Sequence, residues 1–592
     1  MKEFFKMAFA TVVGIFIFML ISGLLGVMCL VGLVASGNSS VKPDKNSVFV
    51  LNLSGTLEER SETSIMDMLM NGSSSSIGLD ETLSAIKKAK ENENIKGIYI
   101  EAGMFSSDSW ASLQTMRKAL VDFKKSGKWI IAYGDTYTQG TYYLASAADK
   151  VYLNPQGQVD WHGLAAEPMF LKDVMAKFGV KMQLSKVGAY KSAPEQFTAD
   201  HMSEPNREQI TVYINGIWDN VLADVSASRK ITKDQLNAMA DSLITFSPAE
   251  DLVKNKIVDG LLYTDEVKDV VKKQLKIDAD EKIHQLGLAD MQRVKSQSND
   301  GEEIAIYYAV GDIVDGNAQG LTSSGPVIDA QVVCRDLAAL EENDDVKAVV
   351  FRINSGGGSA YASEQIWRQV ELLKKKKPVV VSMGGMAASG GYYISCGSNW
   401  IVAEPTTITG SIGIFGMFPD ASELLTQKLG VKFDEVKTNK HSNFGTMSRP
   451  FNAEEMDYLN RYIERGYRLF RQRVADGRKM SVDSIEAIAQ GRVWLGQDAL
   501  KNHLVDQLGT LDDAVAKAAN LAKLDEYHTV GYPAPKGTFE QLFGGADEVK
   551  NNYLYESMKA SLGELYEPLM LLKNINQHNA IQARVPYSLN IR

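Results

Sequence analysis

Lys377-Pro-Val-Val-Val-Ser-Met-Gly384, followed by Ser389-Gly-Gly-Tyr-Tyr393, is the stretch on which the fold turns. A run of β-branched residues ends in a loop of small residues, and a helix begins near the tyrosine pair, which reads as strand, tight loop, helix. The same grammar appears earlier as Lys128-Trp-Ile-Ile-Ala-Tyr-Gly134 and Gln139-Gly-Thr-Tyr-Tyr143. The glycine and the Tyr-Tyr pair recur at a constant offset of 250, as do Pro155/Pro405 and Gly163/Gly413. Asn255-Lys-Ile-Val-Asp259 answers Asn502-His-Leu-Val-Asp506 at an offset of 247. Single matches of this kind are common, but five in one order at nearly one offset mark a duplication. The chain therefore holds two related halves, 47–295 and 300–530.

Working outward, each half opens with an apolar run (97–100 and 348–353) that leads into a loop containing glycine or serine. An amphipathic helix follows, with Leu113, Met116, Leu120 and Phe123 in the first half and Ile366, Val370 and Leu373 in the second. The lysine run 374–377 reads as a solvated last turn favoured by the helix dipole. Continuous rather than alternating apolar strands (129–133 and 379–383) imply a parallel sheet covered by helices, an α/β fold. The polar segment 297–303 is the expected linker. Residues 535–592 carry apolar patches but no motif that assigns them a role.

The other 592-residue limits are set by composition. Apolar residues make up 45% and charged residues 23%, globular proportions that exclude a mostly disordered chain. A net charge of −10 argues against a nucleic-acid partner, which needs a basic footprint. Three cysteines (Cys29, Cys334, Cys396) and seven scattered histidines form no disulfide framework and no metal-ligand spacing, so no metal is expected. Residues 7–35 are a run of 29 without a charge, where about 20 cross a bilayer core. Lys2 and Lys6 precede the run, so the expected arrangement is an anchor over 1–36 with a cytoplasmic N-terminus and an exported body. A cleavable signal peptide has an apolar core only about half as long, although the small residues around Ala35-Ser36-Gly37 leave cleavage open.

Two loops of the second half carry candidate chemistry. Asn354-Ser-Gly-Gly-Gly-Ser359 lies between a buried strand and a helix, where glycines let backbone N–H groups approach an anion. Met386-Ala-Ala-Ser-Gly-Gly391 sets Ser389 at a helix start, either as a nucleophile beside an oxyanion donor or as a plain N-cap. No GxSxG elbow and no nearby histidine support a Ser-His-Asp triad, and no GxxxxGK[ST] loop is present to bind nucleotide. A lysine neutralised by burial is an alternative base, but spacing alone does not choose among the many lysines.

Val187-Gly-Ala-Tyr-Lys-Ser-Ala193, the 354–359 loop, Gly384-Gly-Met-Ala-Ala-Ser-Gly-Gly391 and Thr409-Gly-Ser-Ile-Gly-Ile414 together resemble the signal peptide peptidase A (protease IV) family in its long, duplicated form. The likeness runs from the N-terminal anchor to about residue 530. It implies two tandem Clp-protease/crotonase-like repeats, no cofactor, and a membrane-bound serine peptidase with a Ser/Lys dyad that assembles as a homotetramer. Carried over by motif, Ser389 is the nucleophile, Lys191 the general base, and Ser411 the residue that orients the lysine. Gly358 and Gly390 are the oxyanion donors. Gly356 stands where the family often has proline, which loosens the loop but removes no donor.

The repeat adds an argument of its own. At the Ser389 position the first half has Gln139, and at the Lys191 position the second half has His441 or Ser442, depending on a one-residue shift. Each half has kept one member of the dyad, so an active centre has to form across both. Lys440 is a rival base within the second half. The expected substrates are signal peptides and other short or unfolded peptides at a bacterial inner membrane, with the catalytic body on the periplasmic side. The rival functions are an acyl-CoA-type crotonase enzyme, which shares a two-N–H oxyanion hole, and a catalytically idle membrane scaffold.

Overall fold

Strands without a polar face must be covered on both sides, and each half meets that demand with a parallel sheet between helices. In the first, the strand order is Ser76–Gly78, Ser47–Glu58, Ile95–Ser107, Trp129–Tyr137, Lys150–Val159, Gly260–Leu261, with Gln285–Leu286 also paired to Ser47–Glu58. In the second, the order is Val493–Leu495, Ile408–Gly410, Val379–Ala388, Val346–Ser355, Glu302–Val310, Tyr527–Tyr532, and Trp400–Ala403 links Val379–Ala388 to Gln507–Leu508. Val493–Leu495 alone in this sheet runs antiparallel to its neighbour. This computed structural model describes residues 40–60, 76–295, 301–316, 326–534 and 581–585, with parts of 6–22. The expected anchor 1–36, the linker 297–303 and the extension 535–592 lie largely outside the described residues. Among those described, no helix is long and apolar enough to cross a membrane.

The two helices read from periodicity form at Trp110–Lys124 and Ala360–Leu373. Ser109 and Ser359 cap them, each accepting a backbone N–H three residues on, and Leu113, Met116, Leu120 and Phe123 or Ile366, Val370 and Leu373 are buried beneath. The second helix stops at Leu373, and the lysines after it are not all solvated. Lys377 Nζ donates to the carbonyl of Leu340 at 2.7 Å and also to that of Asn343. A lysine stem of that reach ties the end of this helix to the end of the helix Ala330–Glu342.

A third sheet was not legible as a parallel unit, because it is mixed and drawn from distant segments. Its order is Val327–Asp329, Asp312–Val314, Gly357–Ser359, Ile581–Arg584, Phe415–Asp420, Lys181–Lys186. The first three run parallel, and each later neighbour runs antiparallel to the one before. Lys181–Lys186 comes from the first half and Phe415–Asp420 from the second, so this sheet joins the two.

Buried polar contacts join them again. Arg352 on the strand Val346–Ser355 meets Glu59 through Nε at 2.6 Å and Nη2 at 3.2 Å, with both side chains only 3% exposed. The remaining guanidinium nitrogen donates to Ser382 Oγ and the Met383 carbonyl. Thr115 Oγ1 donates to Glu404 Oε1 at 2.8 Å, and Lys118 pairs with the same carboxylate. Burial without such pairing would cost several kcal/mol per charge.

Candidate active site

The strand Val379–Ala388 delivers Ser389 to the start of the helix Gly390–Ser395. Ser389 is fully buried and adopts φ 54°, ψ −112°, a left-handed geometry that a non-glycine residue holds only where the surroundings force it. Two backbone hydrogen bonds force it here, from Ser389 N to the Gly410 carbonyl at 2.8 Å and from Tyr393 N to the Ser389 carbonyl at 2.8 Å. The side chain does not cap the helix. It turns instead to Lys191, whose Nζ lies 2.7 Å from Ser389 Oγ.

Lys191 is likewise wholly buried. Its Nζ also reaches Ser411 Oγ and the Ser411 carbonyl, both at 3.0 Å. Burial drives the lysine pKa well below its ordinary value, because an ammonium out of water is disfavoured against the neutral amine. Ser411 sits just past the strand Ile408–Gly410 and also holds a positive φ of 54°. Its N–H donates to the Arg492 carbonyl at 2.7 Å, which fixes the turn that faces the lysine.

The residues around the lysine explain its fixed position. Tyr190 N donates to the Gln490 carbonyl at 3.0 Å, and Gln209 Nε2 donates to the Tyr190 carbonyl at 3.1 Å and to Ser192 Oγ at 2.8 Å. Gly491, at φ +80°, leaves no room for a side chain, since a Cβ there would fall 2.6 Å from the Lys191 backbone. Gly413 packs against the lysine stem in the same way, its Cβ position being 3.2 Å from Lys191 Cδ. Sequence reasoning missed Gln209, Gly491 and Gly413 as supports. A lone glycine or a polar residue on a helix gives no signal of what it will pack against.

The glycine loop closes the site from the other side. Ser355 Oγ accepts the Gly357 N–H at 3.1 Å and donates to the Gly311 carbonyl at 2.6 Å, shaping the turn. Gly358 and Gly390 are adjacent, for a Cβ built on Gly390 would lie 3.1 Å from the Gly358 nitrogen. The structure thus brings Lys191, Ser389 and Ser411 together and sets Gly358 beside Gly390. The alternative bases are elsewhere. Lys440 is exposed and paired with Glu454, His441 faces Glu455 at 3.5 Å, and Ser442 Oγ bonds the Asn439 carbonyl. In the first half, Gln139 fills its own loop: Oε1 accepts the N–H groups of His162 and Gly163, and Nε2 donates to the Gly163 carbonyl.

Comparison with known proteins places this chain in a family. The profile of peptidase family S49 matches twice, over residues 122–278 and 371–525, in keeping with the duplication, and a Clp protease profile matches residues 321–402. Protease 4 of Salmonella typhi is 35% identical over 588 residues, covering 96% of this chain and 91% of that protein. Protease 4 of Haemophilus influenzae is 35% identical over 517 residues, covering 83% and 82%. The chloroplastic serine protease SPPA of Arabidopsis thaliana is 32% identical over 487 residues, covering 81% and 70%. The α/β chain with two tandem Clp-protease-like repeats therefore belongs to peptidase family S49, as a serine peptidase of the Protease 4/SppA type.

Proposed function

We propose that the chain is a membrane-anchored endopeptidase whose Ser/Lys dyad is split between its two repeats and whose substrates are spent signal peptides. The observation that carries this reading is the 2.7 Å contact of Lys191 Nζ with Ser389 Oγ, both residues being fully buried. Neutral Lys191 takes the hydroxyl proton as Ser389 Oγ attacks the peptide carbonyl carbon. The N–H groups of Gly358 and Gly390 receive the developing oxyanion, and loss of one such donor typically costs about 10²–10³ in rate. Lys191 then protonates the leaving amine and activates the water that hydrolyses the acyl-enzyme. Ser411 holds the amine on line through its hydroxyl and carbonyl.

The uncharged run 7–35 behind Lys2 and Lys6 supports an inner-membrane anchor with the body on the periplasmic side, close to peptides left in the bilayer. Homotetramer formation rests on the family likeness. Leu429, Phe433, Val436 and Phe444, close in sequence, are apolar and exposed, as residues that a partner covers would be.

A fluorophosphonate probe with peptide mapping tests the reading against its rivals. A peptidase is modified at Ser389. A crotonase-type acyl-CoA enzyme or an idle scaffold leaves Ser389 unlabelled.

A further inference from the structure

The parallel ladder between Val346–Ser355 and Val379–Ala388 breaks at Asn354. Ile353 pairs with Met383 and Ser355 with Ala387, so Gly384, Gly385 and Met386 stand opposite this one residue. Extra residues in one strand re-aim whatever follows them, and here Ser389 and Gly390 follow. Asn354 is also where the glycine loop that carries Gly358 departs. It therefore stands at the root of both loops that build the site. Its side chain spans the break, Oδ1 accepting the Met386 N–H at 3.1 Å, while its backbone carbonyl accepts the Gly311 N–H at 3.0 Å.

The other end of that amide reaches the first repeat. Asn354 Nδ2 donates to Asp108 Oδ2 at 2.7 Å. A carboxylate only accepts, so it keeps the NH2 on its own side and Oδ1 toward Met386; the reversed amide would set oxygen against oxygen and NH2 against N–H. Asp108 is itself fixed. Its N–H donates to the Leu57 carbonyl at 3.2 Å, and the hydroxyls of Ser107 and Ser109 donate to Oδ1 at 3.3 and 3.4 Å. The first repeat also packs against the break. A Cβ built on Gly385 would fall 2.5 Å from Ser109 Cβ, and one on Gly384 would fall 3.0 Å from Glu59 Oε2. Ser109 and Ser359 cap corresponding helices, so Asp108 occupies in the first repeat the place that Gly358 holds in the second. A carboxylate there would repel an oxyanion, but it suits an amide.

We infer that Asp108 is a positioning residue for the reaction at Ser389: through Asn354 it holds the break in register and so aligns Ser389 with the N–H groups of Gly358 and Gly390. The inference rests on the Ser389/Lys191 reading. Lys191 is no part of this chain of contacts, so Asp108 acts on the oxyanion side of the site and leaves the base alone. The contact needs one donor and one acceptor, and either repeat can supply either.

Single-turnover acylation of a reporter peptide across pH, with KM and thermal unfolding measured alongside, tests this. Asp108 is exposed, so Asp108→Ala is expected to unfold at the wild-type temperature. Its plateau acylation rate should fall about 10–100-fold, less than the roughly 10²–10³ that deleting an oxyanion donor costs. KM and the pH midpoint should stay in place. Asn354→Asp, which sets two carboxylates together, should lose at least as much. Adding Asp108→Asn to it puts a donor opposite an acceptor again and should recover most of the rate, which a general packing role would not do. Should Asp108→Ala unfold early, this swap, which keeps the volume of both side chains, decides alone. A wild-type plateau in Asp108→Ala, a loss through the midpoint or KM instead of the plateau, or a swap no faster than Asn354→Asp overturns the inference and leaves the dyad standing. Wild type that is never acylated at Ser389 overturns both.

Discussion

Lys191 and Ser389 stand 198 positions apart in the chain and on different repeats, yet Nζ and Oγ are 2.7 Å apart. Neither repeat contains the pair alone. Gln139 occupies the serine's place in the first and is consumed by its own loop, while the His441/Ser442 segment of the second faces Glu455 and Asn439. Under the proposed dyad, joining the repeats is a condition of chemistry as well as of stability.

Ser389→Ala and Lys191→Met are each expected to lower peptide hydrolysis by roughly 10⁴-fold or more, since members of a nucleophile–base unit are grossly non-additive. Circular dichroism and sedimentation should be unchanged, because both substitutions fit buried sites without adding a charge. Lys440→Met should retain wild-type turnover, its side chain being 69% exposed and paired with Glu454. Loss of turnover in Lys440→Met with retention in Lys191→Met would move the base into the second repeat.

Ser411→Ala should weaken the acylation step without removing it. One of the two contacts at 3.0 Å is lost, while the Ser411 carbonyl still holds the amine. A hydrogen bond of this kind contributes about 1–2 kcal/mol, or roughly 5–30-fold in rate. The expected change is in kcat with KM nearly unmoved. A KM effect alone would point to a role in peptide binding.

The buried Arg352–Glu59 pair predicts a non-additive pair of variants. Glu59→Met leaves a guanidinium unpaired at a 3% exposed site and should lower the apparent Tm sharply, in line with a cost of about 3–5 kcal/mol for an orphaned buried charge. Arg352→Met should do the same to the carboxylate. Combining the two should recover much of the loss, as read by thermal unfolding. Simple additivity would mean that the two groups do not depend on each other.

What the sequence made legible follows from local rules. The strand runs 129–133 and 379–383 and the helix faces around Leu120 and Val370 announce themselves by periodicity, and the 250-residue offset exposes the duplication. The loop glycines and Ser389 stand out for their small-residue context, although a nucleophile and an N-cap read alike at that place in the sequence. The joining sheet was hidden because Lys181–Lys186, Phe415–Asp420 and Ile581–Arg584 are short strands whose pairing spans hundreds of residues. Gln209 and Gly491 were hidden for a related reason: their meaning lies in the Lys191 backbone that they touch. The lysine run 374–377 misled, since Lys377 is held by the Leu340 and Asn343 carbonyls.

The pH dependence of single-turnover acylation tests the central claim, that neutral Lys191 activates Ser389, most directly. Burial lowers the folded-state pKa of Lys191, so the neutral, reactive amine appears at a pH well below the ordinary lysine range. The acylation rate of wild type should rise with pH through one ionisation whose midpoint lies below the ordinary lysine value of 10.5, then level off. Below that midpoint the rate should fall about tenfold per pH unit, as the fraction of neutral amine does. A rate that is flat from mildly acidic to alkaline pH, or that falls as pH rises, would contradict a lysine base.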